Sequence, residues 1–441
     1  MNSDTIFALA SGGLAAGVAV IRVSGPKAGD SLQRLAGKVP APWHASWAAF
    51  VDDGEIIDSG LILWFPGPGS FTGEDVAEFH THGGKATVAR VLAALAKITG
   101  LRMAEPGEFT RRAFENGKLD LTAAEGLADM VAAETEAQRR QAFRQMQGDL
   151  GRLYDGWRER LLAAQGHIEA AIDFSDQDLP EGVGAKVAAT VAEVAAEIGA
   201  HLADGRRGER LRDGIHIAIV GAPNVGKSSL LNRLAQRDAA IVSATAGTTR
   251  DVIEVHLDIK GYPVTIADTA GLREAGDAIE AEGVFRARRR AEQADLKIAV
   301  FDAQDWPRVD PATVGLVDER TIPVLNKIDL KRPTGPVQVG ERAGVALSVA
   351  TGQGVDSLLD RLAAEVETRF GLLAAPSPTR ERHRAALEGC REALDRFIGA
   401  GSPELAAEDL RLASRALGRI TGRVDVEEIL DRIFAEFCIG K

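Results

Sequence analysis

Cysteine is nearly absent from this 441-residue sequence: Cys390 and Cys438 are the two it has, too few for a disulfide framework. Long apolar runs are missing as well. None approaches the roughly 20 residues that a membrane-spanning helix needs, and the opening Met1-Asn2-Ser3-Asp4 has neither the basic start of a secretory signal nor an Arg-rich transit segment. These absences point to the reducing cytoplasm, with no membrane partner. Positive charge is also in deficit, because 52 Lys and Arg against 64 Asp and Glu leave a net charge of −12. A broad basic coat for nucleic acid is thereby excluded, and any RNA contact has to be local. No long low-complexity tract and no clear internal repeat is present. With 45% hydrophobic and 26% charged residues the composition is that of a globular protein, and the length leaves room for about two to four domains.

Halfway along, the apolar run Ile215-His216-Ile217-Ala218-Ile219-Val220 leads into Gly221-Ala222-Pro223-Asn224-Val225-Gly226-Lys227-Ser228-Ser229 and then Leu230-Leu231-Asn232-Arg233-Leu234. This reads as strand, glycine loop, helix. Glycines let the backbone turn its N–H groups and the helix N-terminus toward phosphates; Lys227 reaches the outer phosphates and the Ser228 hydroxyl ligates magnesium. Asp268-Thr269-Ala270-Gly271 ends the apolar strand Val264-Thr265-Ile266-Ala267, where the carboxylate holds magnesium through water and the Gly271 N–H meets the γ-phosphate. Asn326-Lys327-Ile328-Asp329 follows Ile322-Pro323-Val324-Leu325, and Asp329 accepts both guanine donors, which adenine lacks. Ser348 fits the last base-contacting loop. Ser243-Ala244-Thr245-Ala246-Gly247-Thr248-Thr249-Arg250-Asp251 contains the first switch, whose threonine, Thr249, completes the magnesium shell while the γ-phosphate is present. GTP and magnesium are the ligands this set implies. Leu272 stands where a water-orienting Gln would follow Gly271, so hydrolysis has to take its water-positioning group from elsewhere, with Glu274, Asp277, Glu280 and Glu282 nearby.

Two long flanks remain. Residues 1–118 mix short apolar runs, such as Val18–Val23 and Leu61–Phe65, with turn signals at Ser24-Gly25-Pro26 and Pro66-Gly67-Pro68-Gly69, which predicts an α+β domain; residues 85–99 read as a helix ending at Gly100. From Leu119 the apolar residues Leu121, Ala124, Leu127, Ala128, Val131 and Ala132 recur at three and four, and the same spacing continues through Leu161, Ile168 and Ile172 and through Val187, Val191, Val194 and Ile198. Helices are expected again at 380–398, 404–420 and 425–437. The expected architecture is therefore multidomain α/β and α: an α+β domain over 1–118, a split all-helical domain over 119–210 and 373–441, and an inserted Ras-like α/β P-loop domain over 211–372. Other clusters read blandly. Arg286-Ala287-Arg288-Arg289-Arg290 is a solvated helix face, Asp173–Asp178 a helix break, and His80 with His82 lacks a third metal ligand.

The chain ends Phe437-Cys438-Ile439-Gly440-Lys441, which is no prenylation box because Gly440 is not aliphatic. With that ending, the inserted GTPase, and the runs Ile21-Arg22-Val23-Ser24-Gly25, Phe65-Pro66-Gly67-Pro68, Ser70–Asp75, His82-Gly83-Gly84 and Pro106-Gly107-Glu108-Phe109-Thr110-Arg111-Arg112-Ala113-Phe114, the sequence closely resembles the MnmE (TrmE) family of tRNA uridine-5-carboxymethylaminomethyl modification GTPases. The likeness covers nearly the whole chain. It implies a homodimer that works with a flavoprotein partner, MnmG, on wobble uridine of certain tRNAs. It also implies a one-carbon folate, 5,10-methylene-tetrahydrofolate or its 5-formyl analogue, bound by the N-terminal domain, with Arg22, Glu78, Lys118 and Lys441 at matching positions. Potassium supplies the charge an arginine finger supplies elsewhere: Asn224 matches the family's potassium ligand, with Ser243, Thr245 and Thr248 completing the shell, and Glu280 matches the Glu that orients water. Cys438 matches a cysteine the family needs, either as a nucleophile toward uridine C6 or as packing for the terminal segment. The sequence departs from the family at Ser11–Gly17, where a Pro-Pro-Gly-Arg-Gly-Gly stretch is common, and at Ser243, where Thr is frequent. A regulatory GTPase of ribosome assembly shares every nucleotide motif, and a folate aminomethyltransferase acting on small molecules would explain the N-terminus alone.

Overall fold

The computed structural model describes residues 4–13, 15–173, 183–236, 254–268, 291–424, 427–435, 437, 439 and 440, and at 183, 254, 268, 427 and 428 the backbone alone. It divides into two compact units, residues 1–128, 145–195 and 389–441, and residues 129–144 and 196–388. That partition cuts across the expected boundaries. Residues 129–144 and 196–210, expected in the helical domain, belong to the unit that carries the nucleotide motifs.

The first unit begins with β1 (Thr5–Leu9), β2 (Ala16–Ser24), β3 (Ser46–Asp52), β4 (Glu55–Phe65), β5 (Val76–Gly83) and β6 (Leu101–Met103), which form one sheet in the order β3-β4-β5-β2-β1-β6. All pairings are antiparallel except β1 with β6. Side chains of a strand alternate between faces, and this sheet uses both. Phe7, Ile21, Val23, Phe50, Ile62 and Phe79 pack under the helices Ala28–Ala36 and Lys85–Ala96 through Leu32, Leu35, Val88, Val91 and Leu95. Ile6 and Ala8 turn the other way, onto Ala104, just past β6, and onto Phe109 of the helix Glu108–Glu115. The helix expected to run to residue 99 stops at Ala96, and Gly100 takes the left-handed φ of 89° that turns the chain into β6.

Helices complete this unit. Asp149–Asp173 buries Leu150, Tyr154, Trp157, Leu161 and Ala164, and Pro403–Thr421, packed along it, buries Ala406, Leu410, Ala413, Leu417 and Ile420. Both sets step by four and three, the spacing that lines one face of a helix. The second helix is delimited by local chemistry: the Ser402 Oγ accepts the Leu405 N–H, Pro403 opens the first turn, and Gly422 at φ 85° closes the last. Leu121 and Ala124 meet Leu430, Ile433, Phe434 and Phe437 in a further cluster, which joins the start of the helical sequence to its end.

In the second unit, β7 (Ile215–Val220), β8 (Glu254–Ile259), β9 (Tyr262–Asp268), β10 (Leu296–Asp302), β11 (Thr321–Asn326) and the short β14 (Val345–Ala346) form a sheet in the order β14-β11-β10-β7-β9-β8; a hairpin of β12 (Gln338–Val339) and β13 (Arg342–Ala343) lies apart. Every pairing in the six-stranded sheet is parallel except β8 with β9. Both faces are covered, so its central strands are largely apolar and buried; six of the seven residues of β10 are buried, Lys297 among them. Ile215, Ile217, Ile219, Ile298 and Val324 face the helices Lys227–Ala235 and Val355–Phe370, while Ala299, Phe301 and Leu325 face the opposite layer. Among the described residues no helix is long and apolar enough to cross a membrane.

Candidate functional site

Parallel strands bring their carboxyl ends to one edge, and ligands of such sheets bind there, where the strand order reverses. Here the reversal is at β7, with β9 on one side and β10 on the other. Beyond β7 the chain cannot continue straight. Gly221 adopts φ 153°, with the Val300 carbonyl 2.5 Å from where a Cβ would lie; Asn224 stands at φ 63° and Gly226 at φ 103°, after which the helix Lys227–Ala235 begins. A Cβ at Gly226 would strike the Asn326 amide. Within this loop Lys227 is buried, and its Nζ donates to the carbonyls of Gly221, at 2.9 Å, and Ala222, at 2.8 Å. A cation is thus fixed beside a helix N-terminus, the two ingredients of a phosphate cradle.

The loops after β11 and β14 close on the same edge. Asn326 is buried; its Nδ2 donates to the Val225 carbonyl at 2.8 Å and its Oδ1 accepts the Val349 N–H at 3.1 Å. One side chain therefore clasps the glycine loop to the loop after β14. Lys327, at φ 66°, donates to the Asn224 carbonyl at 2.9 Å and to Asp302 at 2.6 Å. Burial acts to raise the Asp302 pKa, but the Lys327 bond and the Gln304 N–H outweigh it and hold the carboxylate below its ordinary value. Asp329 stays exposed two residues on, while Ser348 is fully buried and its Oγ accepts the Thr351 N–H at 3.2 Å. The sheet thus gathers Asn224 to Ser229, Asn326, Lys327, Asp329 and Ser348 at one place.

A second concentration of charge lies on the N-terminal sheet. Arg22 and Glu78 face each other across β2 and β5, joined from Arg22 Nε at 3.0 Å and Nη2 at 2.9 Å. The guanidinium also stands 5.7 Å from the ring centre of Phe71 and 5.9 Å from that of Phe109. His80 Nε2 is 3.1 Å from the other Glu78 oxygen. Burial acts to raise the Glu78 pKa, yet His80 and Arg22 together bring it below 4.5. Phe71 belongs to a loop from Pro66 to Asp75, whose far side is held by Lys118 Nζ on the Pro68 carbonyl at 2.9 Å and by Asn116 on the Thr72 carbonyl at 2.7 Å. Lys118 meets this loop at Pro68 and Arg22 meets it at Phe71. Beneath it lies an ion cluster that the sequence does not announce. Arg112, 1% exposed, reaches Glu74 at 3.1 Å, Glu108 at 3.0 Å and Asp4 at 2.9 Å. One signal of it is local, since Glu108 and Arg112 stand four apart on one helix.

Two family models match the chain. One, described as the MnmE helical domain, covers residues 121–438, and the other, the GTP-binding protein TrmE N-terminus, covers residues 5–118. Relatives named tRNA modification GTPase MnmE match over the full length: that of Paramagnetospirillum magneticum is 57% identical, with 100% of both chains covered. That of Rhodospirillum rubrum is 52% identical with the same coverage, and that of Parvibaculum lavamentivorans 55% identical over 99% of this chain and 100% of its own. The chain belongs to the MnmE family.

As a member of that family of tRNA modification GTPases, it carries the nucleotide loops of MnmE within the described residues only in part. Asn224, Val225, Gly226, Lys227, Ser228 and Ser229 are described. Ser243 to Thr249, Thr269 to Gly271, Glu280, Cys438, Lys441 and the Asp268 side chain lie outside the described residues, as do Arg286–Arg290 and most of the Asp173–Asp178 run. The histidines that suggested a metal pair have carboxylate partners, His80 with Glu78 and His82 with Asp58 at 2.8 Å.

Proposed function

We propose that this chain is a potassium-stimulated GTPase that, with the flavoprotein MnmG, adds a carboxymethylaminomethyl or aminomethyl group at C5 of wobble uridine in certain tRNAs, using a one-carbon folate. The observation that carries the reading is Asn326, which ties the phosphate loop to the base loop as a guanine-nucleotide site requires, in a chain that also bears the TrmE N-terminal domain. Lys227 then holds the outer phosphates, Asp329 accepts from the guanine edge, and Ser228 with Thr249 ligates magnesium. Asn224, exposed at the turn of the loop, offers its side-chain oxygen to a hard cation; Ser243, Thr245 and Thr248 complete the potassium site and Glu280 orients water. Potassium, when bound, supplies positive charge between the β- and γ-phosphates, where negative charge accumulates.

On the N-terminal sheet the donor set fits a folate. Glu78 accepts from pterin N–H groups, Arg22, Lys118 and Lys441 provide cations for the glutamate tail, and Phe71 offers a ring face. The folate, when bound, supplies the transferred carbon, while these residues orient it. We assign residues 1–118 to the folate domain, 119–210 and 373–441 to a split helical domain, of which 129–144, 196–210 and 373–388 pack in the same compact unit as the nucleotide motifs, and 211–372 to the inserted nucleotide domain of a cytoplasmic homodimer.

The test is nucleoside mass spectrometry of tRNA from cells that lack this chain. Aminomethyl-type wobble uridines should disappear and return with the intact chain but not with Asp268→Ala. Unchanged tRNA would instead favour a ribosome-assembly GTPase.

A further inference from the structure

The helix Glu136–Met146 serves neither site, yet residues 136–144 belong to the nucleotide unit. Their bonds explain why. At the front of the helix the Ala137 N–H, a donor that a first turn leaves without an intrahelical partner, meets the carbonyl of Gly261 at 2.8 Å, at the turn between β8 and β9. On the next residue, Gln138 Nε2 donates to the Arg212 carbonyl at 3.0 Å, and about one turn further Gln141 Nε2 donates to the Gly208 carbonyl at 2.9 Å, both on the segment that leads into β7. At its far end Arg144 donates to the carbonyls of Leu373, at 2.8 Å, and Ala374, on the segment that leads away from the nucleotide domain. The inbound and outbound segments also pass in contact. A Cβ on Gly208 would strike the Pro378 carbonyl.

The acceptors of these bonds are main-chain carbonyls, so through them the helix holds the path of the chain. One of the three paths is informative for mechanism, because the β8–β9 hairpin joins the first-switch run ending at Asp251 to the magnesium-binding motif at Asp268. Any shift of that hairpin between nucleotide states reaches the turn at Gly261, and there it meets the helix. We propose that Gln138, Gln141 and Arg144 are positioning residues of a strut. The helix holds the hairpin turn in register with both crossings, so that hairpin displacement on GTP turnover is passed along it to the chain beyond Arg144 instead of being absorbed at the turn. This rests on the function proposed above, in which GTP turnover drives tRNA modification. It names the element that would carry the coupling.

The test uses the full chain with its flavoprotein partner and tRNA, comparing Gln141→Ala/Arg144→Ala with the unaltered protein. GTP hydrolysis should stay within about twofold, while uridine modified per GTP consumed falls about tenfold, the size of an ordinary coupling between sites. Arg144→Lys, which keeps the charge and a single donating nitrogen, should recover part of that ratio. Hydrogen exchange at amides 254–268 should differ between GDP and a GTP analogue in the unaltered chain, and exchange at residues 136–144 should follow it only when the strut is intact. An unchanged ratio, or hydrolysis and modification falling together, overturns the strut. If the unaltered chain hydrolyses GTP but modifies no uridine, the functional reading falls, and the exchange measurement alone decides the strut.

Discussion

Lys227 is held by main-chain carbonyls of its own loop, whereas Arg22 is held by a carboxylate from a neighbouring strand and by two aromatic rings. The first arrangement depends on backbone conformation, on φ angles that only glycine adopts without strain. The second depends on charge, on ion pairs among residues that the sheet brings together from far apart in the chain. A conformational site fails when a side chain is added. A charge-built site fails when a partner is removed or protonated, and the two should therefore fail under different treatments.

The largest expected effect is at Arg112. Replacing it with Met leaves Glu74 without its cation, while Glu108 and Asp4 keep Arg102, and breaking a buried pair on one side costs about 3–5 kcal/mol. Urea unfolding should show that loss in the first unit, with GDP affinity unchanged; a parallel fall in GDP affinity would break the distinction drawn above. Next is Gly226→Val, which puts a branched side chain at φ 103° and against Asn326. Strain and clash together should cost about 3 kcal/mol, over a hundredfold in GDP affinity by calorimetry, without altering acid or urea unfolding of the N-terminal sheet. The smallest effect is at Glu78. Its folded pKa lies below the ordinary 4.5, so its contribution is complete above that value and is lost as the pH falls through the lowered folded value. Glu78→Gln should cost about 1 kcal/mol at neutral pH and nothing once the native carboxyl is protonated. An equal difference at both extremes would mean that packing, not charge, holds Arg22.

The glycine loop is legible in the sequence because one short contiguous run carries both its left-handed turn positions and the lysine that closes on them. Helices with caps at both ends are equally legible: Pro403–Thr421 lies where the apolar spacing predicts a helix over 404–420, since Ser402, Pro403 and Gly422 mark its limits locally. Legibility ends where partners are remote. Nothing in the run Glu136–Met146 announces that Gln141 will bind the Gly208 carbonyl and Arg144 that of Leu373, 67 and 229 residues away. A hydrogen bond to a main-chain carbonyl leaves no mark on the acceptor's identity. The same holds for Arg112, whose partners Asp4 and Glu74 come from a strand approach and a loop.

The sequence by itself determined the family, the guanine-nucleotide chemistry and the helical or extended character of most segments, because each depends on neighbours along the chain. Tertiary structure alone decided that Asn326 ties the glycine loop to the loop after β14, that Arg22 meets Glu78 and two rings, and that residues 129–144 join the nucleotide unit. Those depend on which main-chain groups and charges the sheets bring within bonding distance, and that distance is set by packing, not by order in the chain.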